Sequence, residues 1–179
     1  TFDRAAAREF ARTLVKAISA TRAGDAVLHS ADLHPKDGNT PWLLQTLARQ
    51  LTCASYRYTA TVSKPKPPMK LARLVVNTGD SRSLKAGQKA LDRGAAVGNG
   101  INEARRLADL PGNICTPSYL AHQARKLARD HARLTTSILD EKKMRELGMG
   151  SLLSVSAGSD EPAKLIVMNY KGGKPGQNP

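Results

Sequence analysis

Apolar residues recur at helical spacing between Phe2 and Thr21, at Ala7, Phe10, Ala11, Leu14 and Ile18, and predict a first helix. Asp3 fits its N-cap, and Gly24 is the expected stop. Ala26–Ser30 reads as a short strand. Residues 32–41, DLHPKDGNTP, gather the turn formers Pro35, Asp37, Gly38 and Asn39. A second helix is expected from about Pro41 to Tyr56, with Trp42, Leu43, Leu47 and Leu51 on its inner face. A proline-rich stretch follows, and Leu71–Asn77 reads as a strand. Helix alternating with strand predicts an α/β layer. Only two strands fall in this part, so the remainder of the sheet is expected from residues outside the chain.

The longest helical segment is 81–109. Leu84, Leu91, Ala95, Ile101, Ala104 and Ala108 give it a weak apolar face. Gly94, Gly98 and Gly100 each cost roughly 1 kcal/mol of helix stability relative to alanine. Glycines kept at that cost point to the close approach of another backbone. A boundary between two domains is expected along this helix. Pro111 and Gly112 end it, and Thr116 then caps the next helix with Pro117 in its first turn. Leu120, Ala124, Leu127 and Ala128 share one side of that helix. Leu134–Leu139 reads as a strand, and Asp140 caps a short helix closed by Gly148. Ser151–Ser156 and Lys164–Asn169 read as two further strands, and the polar tail KGGKPGQNP as a loose end. The chain shows no internal repeat.

Composition adds three constraints. No apolar run approaches the roughly 20 residues of a membrane span, so no membrane partner is expected. The first residues carry no secretory signal pattern, and the chain starts at Thr1 rather than Met. Cys53 and Cys115, far apart, make neither a disulfide framework nor a zinc spacing, and reduced thiols in a cytoplasmic protein are expected. The net charge of +13 is high and would attract polyanions. Its densest stretch is Lys64, Lys66 and Lys70, punctuated by Pro65, Pro67 and Pro68. The prolines suit a linker or sheet edge, and no pair of aromatics flanks the lysines to stack bases.

The motifs carry little chemistry of their own. Ser154-Val-Ser156-Ala-Gly158 lacks the first glycine of a nucleophile elbow, and its serines read as strand and turn residues. Gly79-Asp80-Ser81 lies between a strand and a helix, where Asp80 or Ser81 serves as an N-cap. Gly98-Asn99-Gly100 lacks a dinucleotide fingerprint's third glycine, and the run from Lys171 to Lys174 lacks Walker spacing. His29 and His34 form a poor chelating pair. His122 and His131 fall on opposite faces of one helix. The carboxylates Asp109, Asp130, Asp140, Glu141, Glu146, Asp160 and Glu161 are scattered, and no two-metal centre assembles from them.

One longer pattern is specific. Pro111, Asn113, Thr116, Pro117 and Leu120 are followed by Leu147-Gly148-Met149-Gly150, Gly158-Ser159, Leu165-Ile166-Val167 and Tyr170-Lys171-Gly172. Upstream stand Tyr56-Arg57-Tyr58 and Lys64-Pro65-Lys66-Pro67. In order and spacing, from about residue 40 to 172, this resembles the leucyl aminopeptidase (cytosol aminopeptidase) family. The resemblance implies residues 1–80 as the latter part of an accessory amino-terminal α/β domain. Residues 81–110 would be a connecting helix, and residues 111–179 the start of an α/β peptidase domain. It implies an exopeptidase that removes N-terminal residues, leucine favoured, from peptides. Two divalent cations, manganese or zinc, would activate a bridging water and polarise the peptide carbonyl. It also implies a cytoplasmic homo-hexamer.

The family's metal motifs are Gly-Lys-Gly, an aspartate before Ser/Thr-Gly-Gly, and Asn-Thr-Asp-Ala-Glu-Gly-Arg, and none of them occurs here. No catalytic, metal or substrate-binding residue is therefore carried onto this chain, and Asn113 and Thr116 are read as a turn and a cap. The chain is expected to be an internal fragment of a longer metallo-aminopeptidase and inactive alone. The alternatives from the charge and the first domain are a basic DNA-binding accessory module and a purely structural assembly element.

Overall fold

Asp3 adopts extended backbone, and its carboxylate accepts a hydrogen bond from Ala6 N at 2.8 Å. That cap starts α1, Arg4–Ala20, in a computed structural model that describes residues 1–79, 81–173 and 176. The chain divides into two units, Thr1–Asp109 and Leu110–Pro179.

In the first unit α1 ends at Thr21, whose N–H bonds Ile18 O, three residues before the expected stop at Gly24. Gly24 instead offers its carbonyl to Ala72 and Arg73. β1 is Asp25–His29 and β2 is Arg73–Asn77, paired in parallel from Asp25↔Arg73 to His29↔Asn77. A parallel pair needs a crossover, and α2, Thr40–Ser55, lies within it. Asn39 caps α2 through a 2.9 Å bond from Trp42 N. Leu43, Leu44 and Leu47 are fully buried with Ala7, Ala11 and Ala90 and make the core of this unit. Trp42 and Leu51, expected on the inner face, are only half-buried.

A short 3-10 turn, Ser81–Ser83, leads into α3, Leu84–Asp109. The expected cap at Asp80 lies outside the described residues. The packed face of α3 is the predicted one only in part: Leu91 packs against the core and Ala95 is half-buried. The buried residues of the helix are Gly87, Ala90, Gly94 and Gly98, while Leu84 and Ile101 are exposed. The reason is the closeness of α2. A Cβ on Gly94 would overlap the Gln45 carbonyl oxygen and sit 2.8 Å from Ala48 Cβ. One on Gly98 would sit 2.6 Å from Thr52 Cβ. Backbone packed against backbone needs no large side chains at the seam, so glycine and alanine take the most buried positions there. Gly100 faces open space and takes no part.

In the second unit Thr116 caps α4, Pro117–Asp130, by accepting from Tyr119 N at 3.2 Å. Its buried face is Ala121 and Ala124, and Leu127, expected on that face, is exposed. β3, Leu134–Leu139, pairs antiparallel with β4, Leu165–Tyr170. Asp140 caps α5, Glu141–Glu146, and Gly148 turns the chain at φ 71°. Met144 on α5 is fully buried.

Ser151–Ser156 is not a strand. It is α6, Gly150–Ser156, entered through Leu153 N to Met149 O at 3.1 Å. The Ser154 and Ser156 hydroxyls bond carbonyls three residues back, at Ser151 and Leu153. A short mixed run of leucine, valine and serine satisfies either period, and these local bonds together with the Gly148 turn select the helix. Of the tail expected to be loose, Lys174, Pro175 and Gln177–Pro179 lie outside the described residues.

The Asp3 cap makes a pH prediction. The Ala6 N–H, foremost, holds the carboxyl below its ordinary value of 3.8. A depressed folded value means that the contribution of the charge is present above 3.8 and is lost as pH falls through the lower folded value. Asp3→Asn retains an acceptor without the charge. Its melting temperature is expected to fall less steeply than that of the unaltered chain between about pH 5 and pH 2. Thermal melts followed by far-UV circular dichroism read this, and parallel profiles would remove the charge from the account.

Candidate functional site

The residues that carry the family resemblance build local scaffold. Ile114 N and Cys115 N both donate to Pro111 O at 2.9 Å, so Asn113 rides in a tight turn leading to the Thr116 cap. Lys171 N continues the β3–β4 ladder by donating to Arg133 O at 2.8 Å, which places Lys171-Gly172 at a strand end. Lys174 lies outside the described residues.

The possible metal donors are dispersed. His29, on β1, is exposed with Nδ1 3.4 Å from Asn77 Nδ2, and His34 lies 3.5 Å from Thr40 Oγ1. His122 is exposed on α4, and His131 follows the end of that helix. Asp109 accepts from the Tyr56 hydroxyl at 2.7 Å, and Asp140 caps α5. Glu141 accepts from Ala163 N at 2.8 Å, and Glu146 pairs with Lys143 at 3.1 Å. Asp130 ends α4, and Asp160 and Glu161 lie on an exposed loop. Among the described residues no group of three or more His, Cys, Asp or Glu side chains could hold a metal ion. Among the described residues these donors therefore do not form a two-cation centre. Cys53 and Cys115 are free thiols, one in each unit, and Gly98-Asn99-Gly100 is continuous helix within α3.

Two constellations in the first unit have no counterpart in the sequence reading. At the C-terminus of α2, Asn102 Nδ2 donates to Thr52 O at 2.7 Å and an Arg105 guanidinium nitrogen donates to Cys53 O at 3.0 Å. These satisfy carbonyls that a helix end leaves without intrahelical partners. The Arg105 guanidinium also lies 4.4 Å from the centre of the Tyr56 ring. Partial desolvation, and then the Asp109 hydrogen bond, raise the Tyr56 phenol above its ordinary 10.0.

The second constellation surrounds Trp42. The guanidinium carbons of Arg4 and Arg8 lie 5.1 and 5.5 Å from its ring centre. Trp42 also walls a groove of about 380 Å³, together with Asn39, Pro41 and Gln45 of the α2 end and Ala86, Lys89, Ala90 and Arg93 of α3. The only sequence signal for it was the uniqueness of Trp42, because the cations near it come from α1 and α3, far from α2 and from each other along the chain.

Residues 102–179 match the sequence profile described as the cytosol aminopeptidase family, catalytic domain. A probable cytosol aminopeptidase of Alkalilimnicola ehrlichii is 40% identical over 176 residues, covering 94% of this chain and 35% of that protein. One of Nitrosomonas europaea is 42% identical over 172 residues, covering 94% of this chain and 34% of that protein. Among solved structures, the bottromycin maturation enzyme BotP in complex with Mn superposes with a TM-score of 0.72 at 26% identity, over 92% of this chain and 32% of BotP. A tomato leucine aminopeptidase variant gives 0.80 at 20% identity, over 98% of this chain and 34% of the tomato protein, a likeness of fold. The chain thus spans about a third of the length of the curated relatives that it matches. By the profile match at 102–179 and by relatives aligned along nearly all of its length, the chain is similar to the cytosol aminopeptidase family.

Proposed function

We propose that these residues form part of a metal-dependent aminopeptidase that removes N-terminal amino acids, leucine favoured, from peptides. The observation that carries this reading is the match of residues 102–179 to the family's catalytic domain. The names of the relatives and the manganese in the BotP complex support it. In this reading two divalent cations, manganese or zinc, supply the activated water and the Lewis acid, and residues outside the 179 hold them. That the chain spans about a third of the relatives' length supports that division. The present residues then have a scaffold role. The Pro111–Cys115 turn and the capped α4 set the start of the peptidase domain, and the β3–β4 pair supplies the edge onto which its sheet continues. Residues 1–80 act as an accessory domain, with 81–110 as the helix joining the two. The assembled protein is a cytoplasmic homo-hexamer.

The isolated chain, incubated with leucyl-p-nitroanilide and added Mn²⁺, is expected to release no nitroaniline above the protein-free blank. Clear turnover would place the cation ligands within these residues. A polypeptide extended to the length of the relatives is expected to hydrolyse the same substrate and to lose that activity with a chelator. An extended protein inert with either metal, or active irrespective of chelator, would overturn the assignment. Light scattering of the extended protein tests the hexamer.

A further inference from the structure

The groove beside Trp42 lies wholly among residues 39–93, before the segment that matches the catalytic domain. Its floor is apolar, from Ala86, Ala90 and Pro41, and its α3 wall presents Lys89 and Arg93 one turn apart. Arg4 and Arg8 reach the same tryptophan from α1. All four cations are on exposed residues, and among the described residues none of them makes an ion pair. The nearby carboxylates have partners of their own: Asp3 accepts from Ala6 N at 2.8 Å, and Glu9 pairs with Arg12 at 3.1 Å. Asp37 accepts from Arg4 N at 2.6 Å, and Asp92 accepts from Gln88 Nε2 at 2.8 Å. The first turn of α2, which forms the opposite wall, contains no acidic residue. Lys89 and Arg93 thus present two cations without ion-pair partners to one half-apolar cleft, and Arg4 and Arg8 lie over the tryptophan that forms part of its wall.

We propose that this groove docks an extended acidic peptide segment of a partner protein, with carboxylates on Lys89 and Arg93 and the chain laid along the alanine floor. Size favours a peptide. From Ala86 to Arg93 the helix rises about 10 Å, the reach of about three extended residues. Chemistry favours carboxylates over bases. The Trp42 ring is already engaged by two guanidinium groups, so it is not a free platform for a nucleobase, whereas a guanidinium fork is shaped to take a carboxylate. The inference does not depend on the peptidase reading.

Trp42 is the only tryptophan, so its emission reports the groove directly. The 179-residue chain is titrated with end-capped hexaglutamate at low ionic strength, and separately with hexalysine and with a single-stranded oligonucleotide of equal charge. Hexaglutamate is expected to give a saturable emission change whose midpoint weakens at least about tenfold in roughly 0.5 M salt. Lys89→Glu/Arg93→Glu is expected to weaken it by about tenfold or more, and Lys64→Glu/Lys66→Glu to leave it unchanged. Should the first pair disturb the far-UV circular dichroism, Lys89→Gln/Arg93→Gln replaces it, with a loss of several-fold expected. No saturable change, undiminished binding in the Lys89 and Arg93 variants, or tighter binding of the oligonucleotide than of hexaglutamate would each overturn the proposal. The last outcome would assign the groove to nucleic acid.

Discussion

Gly94→Val is expected to destabilise the first unit by about 3 kcal/mol, at the upper end for overpacking. At this position even a single Cβ overlaps the Gln45 carbonyl oxygen and crowds Ala48. A flexible side chain can yield to an intruder, but a helical carbonyl moves only with its helix. The cost therefore falls on the whole α2–α3 interface and on the Leu43, Leu44 and Leu47 core beneath it. Gly100→Ala in the same helix should act in the opposite direction, adding about 0.4–1 kcal/mol, because that position is helical and faces open space. Urea unfolding read by Trp42 emission compares the two. A Gly94→Val chain as stable as the original would mean that α2 and α3 do not meet at this seam.

The second unit should be more fragile. Ala121, Ala124 and Met144 are its only fully or nearly fully buried apolar residues among those described. Met144→Ala is expected to cost about 2–5 kcal/mol, a large part of what so small a core can supply. Amide hydrogen exchange over α4, β3 and β4 should accelerate accordingly. Met144→Leu conserves volume and should cost less than about 1.5 kcal/mol. Val155→Ser, at a side chain 85% exposed, should stay within about 0.5 kcal/mol of the original. Equal exchange in the Met144→Ala and Val155→Ser chains would show that Met144 anchors nothing.

Caps were the most legible part of the fold. Asp3, Thr116 and Asp140 each act through a backbone N–H three residues on, so the sequence alone contains both partners. Gly94 and Gly98 announced a close approach, since nothing else offsets glycine within a helix. The identity of the neighbour, α2, depends on contacts about 50 residues distant and was not legible. The same distance hid which apolar residues of α3 the contact leaves out, Leu84 and Ile101 being exposed while Leu91 packs on the core. Ser151–Ser156 was misread because six residues hold too few repeats to separate the two periods, and the deciding bonds are hydroxyl to carbonyl. The candidate chemistry divided in the same way. Motif order from Pro111 to Gly172 pointed to the family, whereas the setting of Trp42, with Arg4 and Arg8 over its ring and Lys89 and Arg93 lining the same groove, exists only once α1, α2 and α3 are packed.

The β1–β2 ribbon has one more consequence. Val27 and Val75 are register partners and are 61% and 46% exposed, and among the described residues neither strand has a neighbour on its outer rim. Such a rim can recruit the rim of another molecule. Haze developing in a concentrated stock of this polypeptide would then signal intact molecules stacking side by side rather than denaturation, and a charged replacement at Val27 should keep the solution clear.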